Sequence, residues 1–216
     1  MDKSKFRREC IDGLKRGNQV INYRLDKIVT QLLYKYIKKR RYKVVMLYIP
    51  LKIEVNIGNL ITQLRKEGIT LLVPFMVGKS FRLVKYRLPI KIKKFGVKEP
   101  NISNLIYKKI ELAIVPIIGM DESFRRVGFG KGFYDRFFAG SGNRVDRVFF
   151  VGRKQCISKN IITDNYDVKG NVYITPKKIL NNKNNIFRDL GSLKRRKDDR
   201  RGIYSSDNSS YFGSIG

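Results

Sequence analysis

Five apolar runs of strand length punctuate the chain: VVMLYIP (44–50), ITLLVP (69–74), LAIVPII (112–118), RVFFVG (147–152) and NVYIT (171–175). Residues 57–67 (IGNLITQLRKE) carry helical spacing between the first two, with Gly68 as the stop. A strand, a helix and a second strand in that order is the signature of a parallel sheet. Two more helical patterns lie ahead of it. Residues 2–16 place Phe6, Cys10 and Leu14 on one face, and 20–38 place Ile21, Leu25, Ile28, Val29, Leu32, Leu33 and Tyr36 on another. The expected fold is a single α/β domain over residues 1–180: a mostly parallel, twisted sheet with helices on both faces, opened by an N-terminal helical pair. NVYIT is expected to be its last strand. The alternating, basic stretch 80–98 reads as an edge hairpin or an exposed loop. From 181 to 216 the sequence turns polar, rich in Asn, Ser, Gly and charge without periodicity, and reads as a basic, disordered tail.

Composition narrows the chemistry. The chain of 216 residues contains no histidine. That removes Ser-His-Asp and Cys-His triads, histidine acid–base catalysis and most zinc enzymes together. Catalysis has to run on carboxylates, Lys, Arg, Tyr, backbone dipoles or a metal held by oxygen. No apolar run approaches the ~20 residues that cross a bilayer, and the charged opening MDKSKFRREC lacks the apolar centre of a signal peptide. A cytoplasmic protein without a membrane partner is the expectation. Cys10 and Cys156, far apart and not flanked by other metal-ligand types, read as two idle or buried thiols ahead of a disulfide or zinc site.

The formal charge is +29, most of it ahead of residue 181. Such a field attracts anions, from nucleotides to nucleic acid. An ordinary lysine-rich surface explains it as well, so charge alone does not establish a nucleic-acid partner.

Functional groups concentrate in GMDESFRRVGFGKGFYDRFF (119–138), directly after the apolar run 112–118. Gly128, Gly130 and Gly132 alternate with Phe129 and Lys131 at the start of a helical pattern. Glycine lets successive N–H groups converge on one anion, a helix N-terminus adds partial positive charge, and Lys131, Arg125 and Arg126 add full charges. The pattern is neither GxxxxGK[ST] nor GxGxxG. Phosphate binding is the functional reading, and a flexible turn is the alternative. Asp135, on the first helical turn, suits either Mg²⁺ beside bound phosphates or a partner for the helix dipole. Asp121 reads as a loop anchor accepting backbone N–H bonds rather than as a catalyst. Phe133 and Tyr134 suit either stacking on a ring system or core packing.

The segment LAIVPIIGMDESFRRVGFGKGFYDR resembles the signature of the 5-formyltetrahydrofolate cyclo-ligase family, also called methenyltetrahydrofolate synthetase. Pro116, Gly119, Asp121, Arg126, Gly128, Gly130, Lys131, Gly132, Tyr134 and Asp135 match it without a gap. KSKFR near the start, YIPLKIEV, LLVP, KEP (98–100), VGRKQ (151–155) and DVKGNVYIT follow in the family's order. The resemblance covers about residues 3–175. Phe124 stands in place of a glycine, Val127 of a leucine, Phe133 of a tyrosine and Asn171 of a common acidic residue.

The resemblance implies an ATP-dependent ligase that converts 5-formyltetrahydrofolate, polyglutamylated or not, into 5,10-methenyltetrahydrofolate with release of ADP and phosphate, working as a monomer. It implies ATP binding by Lys3, Arg7, Arg126, Gly128, Phe129, Gly130, Lys131, Gly132, Phe133 and Tyr134. Lys131 and Arg126 would be catalytic. Glu54, Phe129, Phe133 and Tyr134 would border the folate, and Asp135 and Asp167 would hold Mg²⁺. The competing reading is a basic RNA-binding or ribosome-associated protein without folate chemistry, which predicts strongly salt-dependent RNA affinity and no ATP turnover.

Overall fold

The computed structural model describes residues 2–92, 98–100, 107, 109–140, 142, 144–182 and 188–189. The first half contains α1 (Lys3–Lys15), α2 (Gln19–Arg40), β1 (Val44–Met46), α3 (Gly58–Lys66), β2 (Thr70–Val77), β3 (Ser80–Lys85), β4 (Ile90–Ile92) and β5 (Lys98–Pro100). The second contains β6 (Lys109–Ile110), β7 (Leu112–Pro116), β8 (Gly119–Asp121), β9 (Arg126–Val127), α4 (Phe133–Gly140), β10 (Arg144–Val145), β11 (Val148–Val151), β12 (Ile157–Ser158), β13 (Val172–Ile174), β14 (Lys178–Asn181) and β15 (Arg188–Asp189).

The main sheet has eight strands in the order β15-β14-β13-β11-β7-β1-β2-β3. Its five central strands, β13 to β2, pair in parallel. The outer strands β3, β14 and β15 pair antiparallel. The near-continuous apolar runs form its centre because both faces are covered. On one face Val45, Leu71, Leu112, Ile114 and Phe149 meet α2 and α3 through Leu33, Ile37, Leu60 and Leu64. On the other, Met46, Leu72, Ala113, Val115 and Phe150 meet Phe137 of α4. The period-2 alternation of strand side chains divides each run between the two cores.

The two N-terminal helices form where periodicity places them, and each start is fixed by a side-chain cap. Asp2 accepts the N–H groups of Ser4 and Lys5 at 2.7 and 2.8 Å, and Asn18 accepts that of Val20 at 2.7 Å. They then bury into different cores. α2 covers the sheet, whereas Phe6, Cys10 and Leu14 of α1 pack with Ile118 and Val127 just past the end of β7. Gly68 follows α3 at φ +75°, the left-handed C-terminal stop expected of it.

Several expectations are corrected. Cys10 and Cys156 are not idle thiols: they form a disulfide with Cα atoms 6.0 Å apart, joining α1 to the segment after β11. The packing of α1 against Ile118, beside Cys156, brings together two cysteines 146 residues apart, a proximity that sequence spacing cannot reveal. NVYIT is not the last strand, because β14 and β15 extend the sheet beyond it. Ile21 of α2 is exposed rather than on the buried face, which begins a turn later at Asp26 and Val29. The stretch 80–98 opens as the edge strand β3, hairpinned to β2 through Gly78. Its residues 93–97, and the tail at 183–187 and 190–216, lie outside the described residues. Among the described residues no helix is long and apolar enough to cross a membrane.

Candidate active site

From β1 the chain proceeds to β2 on one side, and from β7 to β11 and β13 on the other. The order therefore reverses between β1 and β7. Open α/β sheets bind ligands outside the carboxyl ends of the strands at such a reversal. Two segments leave those ends: 47–57, carrying Glu54, and 117–132, carrying Arg126 and the glycine loop. α1 closes over them. Gly119 permits this approach, since a Cβ there would lie 2.8 Å from the Phe6 ring and 2.9 Å from the carbonyl of Cys156. That docking delivers Arg7 to the loop, at Gly128, and Lys3 to Asp164 and Asp167.

The glycine loop is clamped by arginines on its carbonyl side. Arg7 Nε donates to Gly128 O at 2.7 Å. Arg136 donates to Lys131 O at 2.6 Å and to Lys79 O at 2.5 Å. Gly130 and Gly132 hold φ of +88° and +65°, conformations that side-chain-bearing residues rarely adopt. Lys131 and Phe129 are exposed on the loop's outer surface. Asp121 anchors the loop's root, as its position suggested. Fully buried, it accepts the N–H groups of Ser123, Ile162 and Thr163 at 3.0–3.1 Å, together with the hydroxyls of Ser123 and Thr163. Burial alone would raise its pKa, but those hydrogen bonds outweigh it and hold the carboxyl below its ordinary value. With the folded pKa below the unfolded one, this stabilisation is present above about pH 4 and lost as pH falls through the folded value.

Arg126 occupies the centre. Its Nε donates to Pro116 O at 3.0 Å, and its guanidinium carbon lies 4.7 Å from the centroid of the Tyr134 ring. Burial pulls the guanidinium's proton affinity down, while Tyr134, Asp135, Glu54 and Asp167 oppose the shift. Glu54 accepts the Leu51 N–H at 2.8 Å. Burial raises its pKa, against that bond and the charge of Arg126. Burial and the Glu54 charge push the Tyr134 hydroxyl well up, so it is a proton donor at neutral pH. Phe133 lies under Arg136, whose guanidinium carbon is 5.5 Å from its ring centroid.

Asp135 and Asp167 come together as well. Asp135 Oδ1 accepts the N–H of Val168, the residue after Asp167, at 3.2 Å. Asp167 Oδ2 takes the ammonium of Lys3 and the N–H of Asp164. Burial would lower the Lys3 pKa, but Asp167 and Asp164 outweigh it and keep that group a firm cation. Among the described residues there is no group of three or more metal-ligand side chains. Two carboxylates are hard oxygen donors. They fit Mg²⁺ whose remaining ligands are phosphate oxygens and water, not a cage made by protein alone.

Gly128 and Gly130 make a contrasting pair of tests. A Cβ on Gly128 would lie 2.3 Å from Arg126 Nη1, whereas one on Gly130 would meet Arg7 at an ordinary 3.5 Å. Gly128→Ala displaces the central guanidinium, and turnover should fall about 10²-fold. Gly130→Ala adds only left-handed backbone strain of about 1–2 kcal/mol. Turnover and melting temperature measured on both variants separate the two effects.

Residues 1–176 match the sequence profile of the 5-formyltetrahydrofolate cyclo-ligase family. The chain belongs to that family. Among its relatives is a Schizosaccharomyces pombe protein named a probable 5-formyltetrahydrofolate cyclo-ligase, 30% identical over 66% of this chain and 79% of that one. The 5-formyltetrahydrofolate cyclo-ligase of Haemophilus influenzae is 28% identical over 68% of this chain and 82% of its own. The NMR structure of the Aquifex aeolicus 5,10-methenyltetrahydrofolate synthetase shares the fold, with a TM-score of 0.73 at 24% identity, covering 85% of this chain and 94% of that one.

The departures from the family signature have structural accounts. Phe124, where the signature has glycine, holds φ +59°, a left-handed conformation that costs a non-glycine residue about 1–2 kcal/mol. Its buried ring in the second core offsets that cost. Asn171 faces a strand end: its Oδ1 accepts the Val148 N–H at 2.7 Å, a role open to a carboxylate too. Val127 is fully buried against α1.

Sequence reasoning missed Arg136, the loop clamp, and the pair Asp26–Arg153. Arg153 donates to Asp26 through Nε at 2.8 Å and Nη2 at 2.9 Å, and to the carbonyls of Ile53 and Glu54. Asp26 also accepts the Asn56 N–H at 3.1 Å. Together they fix the loop that presents Glu54. The available signal was an acidic residue interrupting the apolar stripe of α2.

Proposed function

We propose that this chain catalyses the ATP-dependent closure of 5-formyltetrahydrofolate to 5,10-methenyltetrahydrofolate, as a cytoplasmic monomer. The observation that carries it is the Arg126 guanidinium, buried between the glycine loop, Tyr134 and Glu54, where a phosphate and a folate would meet. The formyl oxygen attacks the γ-phosphorus and ADP leaves. The N10 lone pair then adds to the activated formyl carbon, N10 gives up its proton, and the phosphorylated oxygen departs as inorganic phosphate. Both steps depend on holding the γ-phosphoryl against the amide oxygen and neutralising charge as it moves.

In this reading the N–H groups of Gly128–Gly132 and the ammonium of Lys131 cradle the phosphates, with Lys3 and Arg7 beside them. Arg126 compensates charge on the transferring phosphoryl. Glu54, Phe129, Phe133 and Tyr134 border the folate. Asp135 and Asp167 would hold Mg²⁺, which supplies charge neutralisation at the phosphates when bound. Phe133 keeps a stacking face but lacks a hydroxyl, so Tyr134 alone of that pair donates to substrate.

The test mixes purified protein with 5-formyltetrahydrofolate and MgATP and follows the near-ultraviolet absorbance of the product. ATP-dependent product is expected, with a loss of about 10²–10³-fold in Lys131→Ala. Absence of product from folded wild-type protein would overturn the reading and make RNA binding the next measurement.

A further inference from the structure

Arg125 stands beside Arg126 in the chain, but its guanidinium turns the opposite way, as successive residues of an extended segment do. Arg126 reaches inward to Pro116 O. Arg125 reaches instead to the turn 164–167. Its Nη1 donates to the carbonyls of Asn165 at 2.8 Å and Asp167 at 2.9 Å, and its Nη2 lies 3.5 Å from Asn165 Oδ1. The backbone beneath is paired as well. Arg125 forms an antiparallel bridge with Lys169, flanked by the bonds from Arg126 N–H to Val168 O and from Gly170 N–H to Phe124 O, both 2.9 Å.

The turn so gripped has exposed and buried parts. Asp167 N–H donates to Asp164 O at 3.0 Å, and Asp164 N–H donates to Asp167 Oδ2 at 2.7 Å. Asn165 and Tyr166 face solvent, whereas the Asp167 side chain is 5% exposed. Exposed polar residues bury little apolar surface to hold a turn in place. Lys3 engages the Asp164 and Asp167 carboxylates, and Arg125 engages the carbonyls. A planar guanidinium fork suits that task, because it gathers several oxygens at once in a fixed geometry.

We propose that Arg125 is a positioning residue: by holding the Asn165 and Asp167 carbonyls, it fixes the Asp167 carboxylate relative to Asp135 and so sets the affinity of that pair for Mg²⁺ bound with ATP. The inference rests on the Mg²⁺ role given to Asp135 and Asp167 in the proposed function. The two carboxylates come from different elements, α4 and the turn, and meet where Val168 N–H donates to Asp135 Oδ1. With only two protein donors, affinity depends on how well their separation is held. Removing an outer partner that orients a metal ligand typically costs about 10–100-fold in metal affinity or activity.

The test titrates Mn²⁺ with ATP, in the absence of folate, into wild type, Arg125→Ala and Arg125→Lys, reading bound Mn²⁺ by its paramagnetic relaxation of water protons. The Mn²⁺ dissociation constant should rise about 10-fold in Arg125→Ala. Arg125→Lys keeps the charge but not the fork, so it should weaken Mn²⁺ too, and it carries the test if the alanine variant does not fold. In turnover, the Mg²⁺ concentration for half-maximal rate should rise by a similar factor, with most of kcat restored at saturating Mg²⁺. A purely structural arginine would lower kcat and melting temperature while leaving the Mn²⁺ constant where it was. Wild-type Mn²⁺ affinity in either folded variant therefore overturns the proposal. A wild type that binds Mn²⁺ with ATP but forms no methenyltetrahydrofolate sinks the cyclo-ligase reading alone, and weaker Mn²⁺ binding in the variants still supports Arg125. A wild type that takes up no Mn²⁺ with ATP removes the metal site and the proposal with it.

Discussion

Arg126→Ala is expected to lower kcat/KM for ATP-dependent methenyltetrahydrofolate formation by about 10³-fold, equivalent to about 4 kcal/mol of transition-state stabilisation. Arg126→Lys should not restore it. The guanidinium acts at once as a donor to Pro116 O, a planar cation facing Tyr134, and a charge balancing Glu54, Asp135 and Asp167. A lysine ammonium cannot reproduce that fork and plane. ATP affinity measured apart from turnover locates the loss: transition-state stabilisation predicts a fall in kcat well beyond the rise in the ATP dissociation constant. A fall of less than tenfold would remove Arg126 from the reaction.

The same variant carries a pH signature. Arg126 holds the Glu54 pKa down against burial, so its removal lets that pKa rise further. Glu54 then ionises only at higher pH. If the carboxylate form supports substrate binding, the acidic limb of kcat/KM moves upward in pH for the residual activity. An unmoved limb would show that Glu54 ionisation does not govern it.

Arg153→Ala is expected to destabilise the fold by about 3–5 kcal/mol, because it leaves the Asp26 carboxylate buried and uncompensated. At roughly 2–4 °C per kcal/mol for a chain of this size, the melting temperature falls by about 10 °C. Both partners are nearly inaccessible, with side-chain exposures of 4% and 8%. A paired replacement separates stability from placement. Asp26→Leu with Arg153→Met substitutes apolar contact for the ion pair and should recover most of the melting temperature. It cannot restore the bonds to the Ile53 and Glu54 carbonyls, so turnover should stay low. Full recovery of activity would show that the pair serves stability alone.

Local features were legible without coordinates. The burial of Phe6, Cys10 and Leu14 follows from 3.6-residue spacing, the stop after α3 from Gly68, and the buried run Leu112–Pro116 from its composition. The turn built by Gly130 and Gly132 and the anchoring role of Asp121 were readable too, because short-range backbone geometry dictates glycine and carboxylate positions directly. Phe124 shows the limit of such reading. Its side chain gives no sign of a positive φ, which the fold imposes through the close turn between β8 and β9.

What only the tertiary structure decided is which distant segments meet. The reversal between β1 and β7, the disulfide across 146 residues, and the engagement of Asp26 by Arg153 across 127 all depend on how the strands are ordered. Periodicity fixes which face of an element is apolar, but not which other element covers it. Sequence therefore specified the central strands, the first three helices, the glycine loop and the chemistry available to a chain without histidine. Packing of the whole sheet set Glu54 near Arg126, Lys3 on Asp167 and Arg7 on the glycine loop, because long-range side-chain contacts exist only once the chain has closed over its core.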